Sequence, residues 1–283
     1  MPIAFVTDST AYIPADLSRQ FAISVVPLML IWGDETLRDG VDIQPDQFYA
    51  RLKTAKVMPS TSQASAVDMQ HAFQDLIDKG FDVIGVFLAE KLSGTMQSAL
   101  QGRDALGSAA GKVTIIDSNT TAMAMGFEIL AAARAAAQGA GVDECAALVK
   151  AVRERVGVYF AVDTLEFLHR GGRIGGATRF IGSALNLKPI LALRDAHVEA
   201  IDRVRTKTKA LDRLVELVAE DVRGKGSVHL ATLHANAEPE ARQLLVRAGQ
   251  QLNAVETVLS TVSPVVGTHA GPGTVGLAYM MGS

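Results

Sequence analysis

The chain has 283 residues, is 48% hydrophobic and carries a formal charge of −3, so it is long enough for two domains or one large one. Its charge argues against a general binder of polyanions, and a single cysteine, Cys145, leaves neither a disulfide framework nor a cysteine metal site. The N-terminus lacks a basic region followed by an apolar stretch, and the longest apolar run, 21–32, is too short to span a bilayer. We therefore expect a cytoplasmic protein without a transmembrane segment.

Apolar strands alternate with helical segments through the first half of the chain. The predicted strands are 3–7, 23–31, 83–88 and 113–116. Helical patterns cover 67–79, 96–106 and an Ala-rich stretch that ends near residue 138. This alternation predicts a parallel sheet with helices on both faces, and we assign residues 1–156 to an N-terminal α/β domain.

The pattern changes after residue 157. A strand at 158–162 and a helical turn at 165–169 precede strands at 189–193 and 197–204, which a short turn joins into a predicted antiparallel hairpin. The remaining predictions are helices at 207–222 and 239–252 and strands at 227–233, 256–260 and 275–280. They indicate a C-terminal α+β domain with a mixed or antiparallel sheet over residues 157–283.

His269 lies in the glycine-rich stretch 266–276, where Pro272 stands between two glycines. Such neighbours restrict the backbone and leave little side-chain cover, which favours an exposed imidazole presented to a ligand over one packed in a core. A structural histidine in a turn is the alternative interpretation.

Hydroxyl-rich turns follow three of the predicted strands: Asp8-Ser9-Thr10, Ser93-Gly94-Thr95 and Asp117-Ser118. Ligands of parallel sheets bind outside the carboxyl ends of the strands. Helix capping is the commoner role of such residues, and we favour it for the first and third turns. At the second turn the glycine permits close backbone approach and free helix N–H groups favour an anion, and Thr61 and Ser62 have the same character.

Residues 170–213 form a basic window of charge +6, so the remainder of the chain carries about −9. Its basic residues are Arg170, Arg173, Arg179, Lys188, Arg194, Arg203, Arg205, Lys207, Lys209 and Arg213. Mixed charges usually mark a solvated face, but this asymmetry also suits an acidic partner surface or a phosphate-bearing ligand. Nucleic acid is not the expected partner, because the chain is acidic overall and few aromatic residues accompany the arginines.

Several signatures of enzyme chemistry are missing from the sequence. Gly271-Pro272-Gly273 is not followed by the Gly-Lys-Ser/Thr of a phosphate-binding loop, and no Gly-x-Gly-x-x-Gly follows the first strand. Ser93 is not part of a Gly-x-Ser-x-Gly nucleophile elbow, and the six histidines show no metal-ligand spacing. What remains are hydroxyls, helix N-termini and one histidine, which suit a carboxylate or a phosphate.

Seven motifs in order resemble those of the DegV family, bacterial fatty-acid-binding proteins, over essentially the whole chain. They are VTDST (6–10), TSQ (61–63), LSGTMQSA (92–99), IDS (116–118), LHRGGRIG (168–175), LKPI (187–190) and HAGPG (269–273). Each motif is modest alone, but the ordered set is specific. Leu168-His169 departs from the more aromatic or basic pair usual at that place and leaves the following Arg-Gly-Gly-Arg-Ile-Gly intact.

The resemblance implies a protein that holds one long-chain fatty acid between two domains, with no cofactor and no metal. The ligand-binding residues that it implies are Thr61, Ser62, Ser93, Gly94, Thr95, His269 and Arg170. It further implies that a separate fatty-acid kinase phosphorylates the carboxylate to an acyl phosphate for phospholipid synthesis, which makes the chain a substrate-binding subunit and not an enzyme. The leading residues for docking the kinase would be Arg173, Arg203 and Arg205.

Two alternatives stay open at this point. The first is a hydrolase with Ser93 as nucleophile, His269 as base and Asp117 as orienting acid, which has suitable residue types but lacks the nucleophile elbow. The second is a carrier of another ligand, such as a sterol, an isoprenoid or a phosphorylated metabolite.

Overall fold

The structure is a computed structural model that describes residues 2–182 and 187–282. Its strands are β1 (Ile3–Asp8), β2 (Ile23–Val26), β3 (Met29–Trp32), β4 (Glu35–Arg38), β5 (Ser60–Ser62), β6 (Asp82–Phe87), β7 (Val113–Asp117), β8 (Val156–Ala161), β9 (Lys188–Arg194), β10 (His197–Val204), β11 (Val228–His234), β12 (Glu256–Thr261) and β13 (Val275–Met281). Its helices are α1 (Ala15–Gln20), α2 (Pro45–Leu52), α3 (Ala66–Asp78), α4 (Thr95–Asp104), α5 (Ala122–Ala137), α6 (Val142–Arg153), α7 (Glu166–Arg170), α8 (Lys207–Val222), α9 (Glu238–Gln251) and α10 (Pro264–Ala270), with 3₁₀ turns at Gly107–Lys112 and Gly175–Phe180.

The N-terminal sheet has the order β2-β1-β6-β7, and all of its strands are parallel. Phe5 lies beside Ile23 on one neighbouring strand and Ile84 on the other. Alternate side chains point to opposite faces, so one face packs on α3 and α4 and the other on α5 and α6. The predicted parallel sheet with helices on both faces is confirmed.

The C-terminal sheet has six strands in the order β10-β9-β8-β13-β11-β12, of which only β11 and β12 are parallel. The predicted hairpin is present, with Arg194 opposite His197. Helices α8 and α9 cover one face of this sheet, and α5 covers the other. The mixed C-terminal sheet is therefore confirmed, and α5 lies between the two large sheets.

The predicted single strand over 23–31 is wrong. The run divides at Pro27-Leu28: β2 is an edge strand of the parallel sheet, whereas β3 belongs to a separate antiparallel sheet of order β4-β3-β5. Proline has no N–H to donate, so a ladder is readily interrupted there. Residues 60–62, for which the sequence predicted no strand, form β5, where Thr61 pairs with Leu30. The division of the chain between residues 156 and 157 stays a prediction, with β8 beginning at Val156.

Glu256 joins α5 to the C-terminal sheet. Arg134 on α5 donates from both guanidinium nitrogens to its carboxylate, at 2.6 and 3.0 Å, and Nδ1 of His229 lies 2.8 Å from Oε2. The hydrogen bond with His229, and then the bonds and charge of Arg134, hold the pKa of Glu256 down at about 2 against the effect of burial. This carboxylate therefore stays ionised over the whole neutral and mildly acidic range.

No helix within residues 2–182 and 187–282 combines the length and the apolar character needed to cross a membrane.

We predict that Glu256→Gln lowers the free energy of unfolding by roughly 2 kcal/mol at pH 7, because charge-assisted hydrogen bonds are lost. A carboxyl group whose pKa is lower in the folded state than in the unfolded state stabilises the fold at pH values above its unfolded pKa. The difference in unfolding free energy between the variant and the parent should therefore narrow as the pH falls from about 4.5 towards 2. Urea unfolding at several pH values measures this. Glu154→Gln is the control, since Glu154 is exposed and lies 3.8 Å from Arg153; equal effects of the two changes would contradict the assignment.

Candidate ligand-binding site

A cavity lies between the N-terminal and C-terminal elements. Its wall is mostly apolar and draws on both halves of the chain, including Leu28, Leu88, Val158, Phe160, Leu233 and Val265. Buried apolar surface without a protein partner fits an apolar ligand. The cavity thus offers space for a hydrophobic molecule that both halves enclose.

Five polar residues of the cavity wall are here together called the polar end: Thr61, Ser62, Ser93, Arg173 and His269. Strand β5 brings in the first two hydroxyls, and Oγ1 of Thr61 lies 2.8 Å from Nε2 of His269. These two side chains are separated by 208 residues in the chain, so only the tertiary fold brings them together. Four of the seven predicted ligand-binding residues line the cavity: Thr61, Ser62, Ser93 and His269.

The expectation of an exposed histidine in a glycine-rich loop is wrong. His269 is half-buried and lies near the C-terminal end of α10. Helix signals were present in the sequence, because Pro264 occupies a first-turn position and Gly271, with φ of 79°, follows the last helical residue. Burial, and then the charge of Arg173, lowers the pKa of His269 to about 4, so its imidazole is neutral at pH 7.

Gly171 gives His269 its position. A Cβ atom at residue 171 would overlap Nδ1 of the imidazole, and this nitrogen is buried without a hydrogen-bond partner among the described residues. The backbone of Gly171 is in the ordinary helical region, at φ −75°. Close approach of the ring, and not backbone conformation, therefore requires glycine here.

The turn after β6 presents Ser93. Oγ of Ser93 lies 2.9 Å from Oγ1 of Thr95 and accepts from the Thr95 backbone N–H at 3.3 Å. Thr95 is fully buried at the start of α4 and does not line the cavity. Gly94 lies beneath the Gln63 side chain, whose amide nitrogen would be 2.8 Å from a Cβ at that residue. Thr95 therefore supports the hydroxyl of Ser93 from outside the cavity, and Gly94 does not line the cavity either.

The two arginines of the Arg-Gly-Gly-Arg motif lie in different environments. Arg170 pairs with Glu166 one helical turn earlier and lines a groove beside the cavity. Arg173 lines the cavity itself and donates from Nε to the Leu92 carbonyl at 3.2 Å and from Nη1 to the Gly171 carbonyl at 2.8 Å. Arg173 thus bridges the two halves of the chain at the polar end.

The other predicted docking residues lie at the surface. Arg203 is exposed and stacks over the ring of Phe180, with 5.4 Å between its guanidinium carbon and the ring centroid. Arg205, which directly follows the last residue of β10, is also exposed. Their role in docking a partner stays a prediction.

The remaining hydroxyl turns have internal partners. Asp8 is fully buried and accepts from the Thr10 hydroxyl at 2.6 Å and from the Leu88 backbone N–H at 2.8 Å. Asp117 accepts from the backbone N–H groups of Asn119 and Glu90, at 2.8 and 3.3 Å. Both carboxylates stabilise turns, although neither caps a helix as the sequence suggested.

The geometry does not assemble a hydrolytic triad. Nε2 of His269 is hydrogen-bonded to Thr61, the Ser93 hydroxyl is bonded to Thr95, and Nδ1 of His269 has no hydrogen-bond partner in the described part of the chain. Asp117 is occupied by its own turn. No group of three or more His, Cys, Asp or Glu side chains within residues 2–182 and 187–282 is arranged to hold a metal ion.

We predict that Gly171→Ala displaces the His269 ring and destabilises the fold by about 1–3 kcal/mol, the usual cost of inserting a methyl group into a packed site. Urea unfolding gives the destabilisation, and a crystal structure of the variant shows whether the Thr61–His269 contact is broken. Gly111→Ala is the control, because nothing lies within 4 Å of a Cβ there. An intact contact and parental stability in Gly171→Ala would refute this role.

Comparison with known proteins places the chain among relatives of the same length. A family model described as "Uncharacterised protein, DegV family" matches residues 2–281. A DegV domain-containing protein of Clostridium perfringens is 34% identical over 281 residues, covering 99% of each chain. Two solved structures are similar. The first is a DegV family protein from Thermus thermophilus described by its fatty acid binding, with a TM-score of 0.93 and 31% identity over 99% of this chain and 100% of that one. The second is DegV of Bacillus subtilis, described as a fatty acid binding protein, with a TM-score of 0.89 and 32% identity over 100% of both chains. The chain belongs to the DegV family.

Proposed function

We propose that this protein binds one long-chain fatty acid, with the acyl chain in the apolar cavity and the carboxylate at the polar end. The observation that carries the proposal is that one cavity combines both kinds of lining: an apolar wall formed by both halves of the chain, and the polar side chains of Thr61, Ser93, Arg173 and His269. Relatives at 31% and 32% identity that carry the same fold are described as fatty-acid-binding proteins, which supports the same ligand class here.

The acyl chain would supply most of the affinity. Burying about sixteen carbons at roughly 0.8 kcal/mol per methylene is worth on the order of 12 kcal/mol before ordering costs are subtracted. The polar end then has the narrower task of compensating a desolvated carboxylate and fixing its position.

Arg173 is our candidate for the positive charge beside the carboxylate. His269 is neutral at pH 7, so the imidazole contributes hydrogen bonding but no charge. Arg170 is held by Glu166 outside the cavity, whereas Arg173 lines it. A Thr61 hydroxyl that accepts from Nε2 of His269 can donate its own proton to the ligand, which makes the pair a relay of hydrogen bonds to the carboxylate.

We further propose that the bound acid is presented to a fatty-acid kinase. Two surface grooves adjoin the polar end, one sharing Ser93 and Arg173 with the cavity and the other sharing Thr61, Arg173 and His269. A carboxylate bound there would be within reach of an external phosphoryl donor. The exposed Arg203 and Arg205 supply positive charge for an acidic docking surface.

Mass spectrometry of the organic extract of the purified protein tests the ligand, and we expect a long-chain fatty acid. Arg173→Gln should weaken palmitate binding about tenfold or more by removing a charge-assisted contact, while Arg170→Gln should stay within about twofold. Displacement of a fluorescent fatty acid measures both variants. A sterol, an isoprenoid or a phosphorylated metabolite in the extract would overturn the assignment, and parental affinity in Arg173→Gln would remove Arg173 from the site.

Trapping of acyl phosphate with hydroxylamine tests the kinase proposal, using palmitate-loaded protein, ATP and a purified bacterial fatty-acid kinase. The double charge reversal Arg203→Glu/Arg205→Glu should keep palmitate affinity and lower acyl-phosphate formation about tenfold, as expected for loss of charged contacts at an interface. The matched control is Lys79→Glu/Lys112→Glu, which reverses two exposed charges outside the basic window. No acyl phosphate with the loaded parent, or equal loss in both double variants, would count against the proposal.

A further inference from the structure

Asp39 is a buried carboxylate outside the cavity that the proposed function does not use. It follows β4 and is 2% exposed. Its Oδ2 accepts from the hydroxyls of Ser9 and Ser263, both at 2.7 Å, and its Oδ1 accepts from the Val265 backbone N–H at 3.4 Å. Burial raises the pKa of Asp39 to about 6 although these hydrogen bonds oppose the shift, so the group is ionised at pH 7 and can accept from all three donors.

The three donors come from opposite halves of the chain. Ser9 directly follows β1, and its hydroxyl oxygen also accepts from the Leu28 backbone N–H at 3.1 Å. Ser263 and Val265 lie at the start of α10, more than 220 residues from Asp39. One charged acceptor therefore fastens the start of α10 to the end of β1, through bonds that are stronger than those between neutral groups.

Helix α10 is the element that carries His269. The imidazole lies six residues after Ser263, about 9 Å along an α-helix. The helix is short and continuous, so a movement of its start also moves the ring. The ring has little room for such a movement, because Gly171 lies against Nδ1 and Thr61 lies 2.8 Å from Nε2.

Ser263 connects the same carboxylate to the cavity wall by a second route. Its Oγ lies 3.4 Å from the hydroxyl of Tyr12, a residue that lines the cavity. Tyr12 has a left-handed backbone, with φ of 55°, and its carbonyl accepts from the Ser260 hydroxyl at 2.8 Å. A non-glycine residue in this conformation persists only where its surroundings hold it, so the start of α10 and the cavity wall are built as one unit.

We propose that Asp39 is a positioning residue for the polar end: by holding the start of α10 against the end of β1, it sets where His269 meets Thr61 and the ligand carboxylate. The proposal rests on the proposed fatty-acid binding. It gives a role to a buried charge that does not line the cavity and that costs free energy to desolvate.

A double-mutant cycle tests whether Asp39 acts through His269. The palmitate Kd is measured by displacement of a fluorescent fatty acid for the parent, Asp39→Asn, His269→Ala and the double variant. Asp39→Asn should weaken binding about fivefold in the parent and less than about twofold once His269 is absent, because residues that act through one contact are not additive. A purely structural role would weaken binding by the same factor in both backgrounds.

Asp42→Asn is the matched control, since it makes the same change three residues later at an exposed carboxylate bonded to Arg38, and it should leave the Kd within about twofold. Circular dichroism establishes whether each variant is folded. If Asp39→Asn is unfolded, the cycle is repeated with Ser263→Ala, which keeps the Asp39 carboxylate and its other two donors, Ser9 and the Val265 N–H. Equal losses in both backgrounds, or no loss, overturn the role of Asp39. A His269→Ala variant with parental affinity also overturns the role of Asp39, because Asp39 is proposed to act through His269. A parent that binds no palmitate instead overturns the proposed function.

Discussion

Helix α5 is the element on which the rest of the structure depends. Its residues from Ala122 to Leu130 are all buried, because the helix packs on the parallel sheet on one side and on the six-stranded sheet on the other. A helix that is apolar all round can be stable only inside such a core. The two large sheets share one hydrophobic cluster through it, and Thr121 and Ala122 at its N-terminus form part of the cavity wall.

Desolvation governs the polar groups of this interior, with a different outcome at each. Glu128 on α5 is fully buried, and neither of its carboxyl oxygens has a hydrogen-bond partner among the described residues. Burial raises the pKa of Glu128 well above the usual value, which favours the neutral acid. His269 becomes neutral by losing affinity for a proton. Asp39 stays charged at neutral pH because three donors compensate it. The number of hydrogen-bond donors around each carboxylate thus explains why Asp39 keeps its charge and Glu128 does not.

The polar end depends on the same balance. With a neutral imidazole, Arg173 supplies the positive charge, and its own guanidinium is oriented by the carbonyls of Leu92 and Gly171. These partners come from the two halves of the chain, so the charge lies where the halves meet. An apolar ligand with one anionic end would complete the arrangement, because its chain fills the apolar wall and its charge answers Arg173.

The sequence by itself determined the long elements. Helix α8 matches its predicted range of 207–222, and both sheet types follow from apolar periodicity and from the turn at 194–196, which are local properties. It also supplied the residue types of the polar end through recognisable motifs. It did not reveal the division of 23–31, the strand β5 or the helix α10, since such short segments are stabilised by remote partners more than by their own pattern. Only the tertiary structure decided that Thr61 meets His269 and that Asp39 holds the start of α10. It also decided that Arg173 lines the cavity while Arg170 pairs outside it. Each of these arrangements depends on packing between segments far apart in the chain.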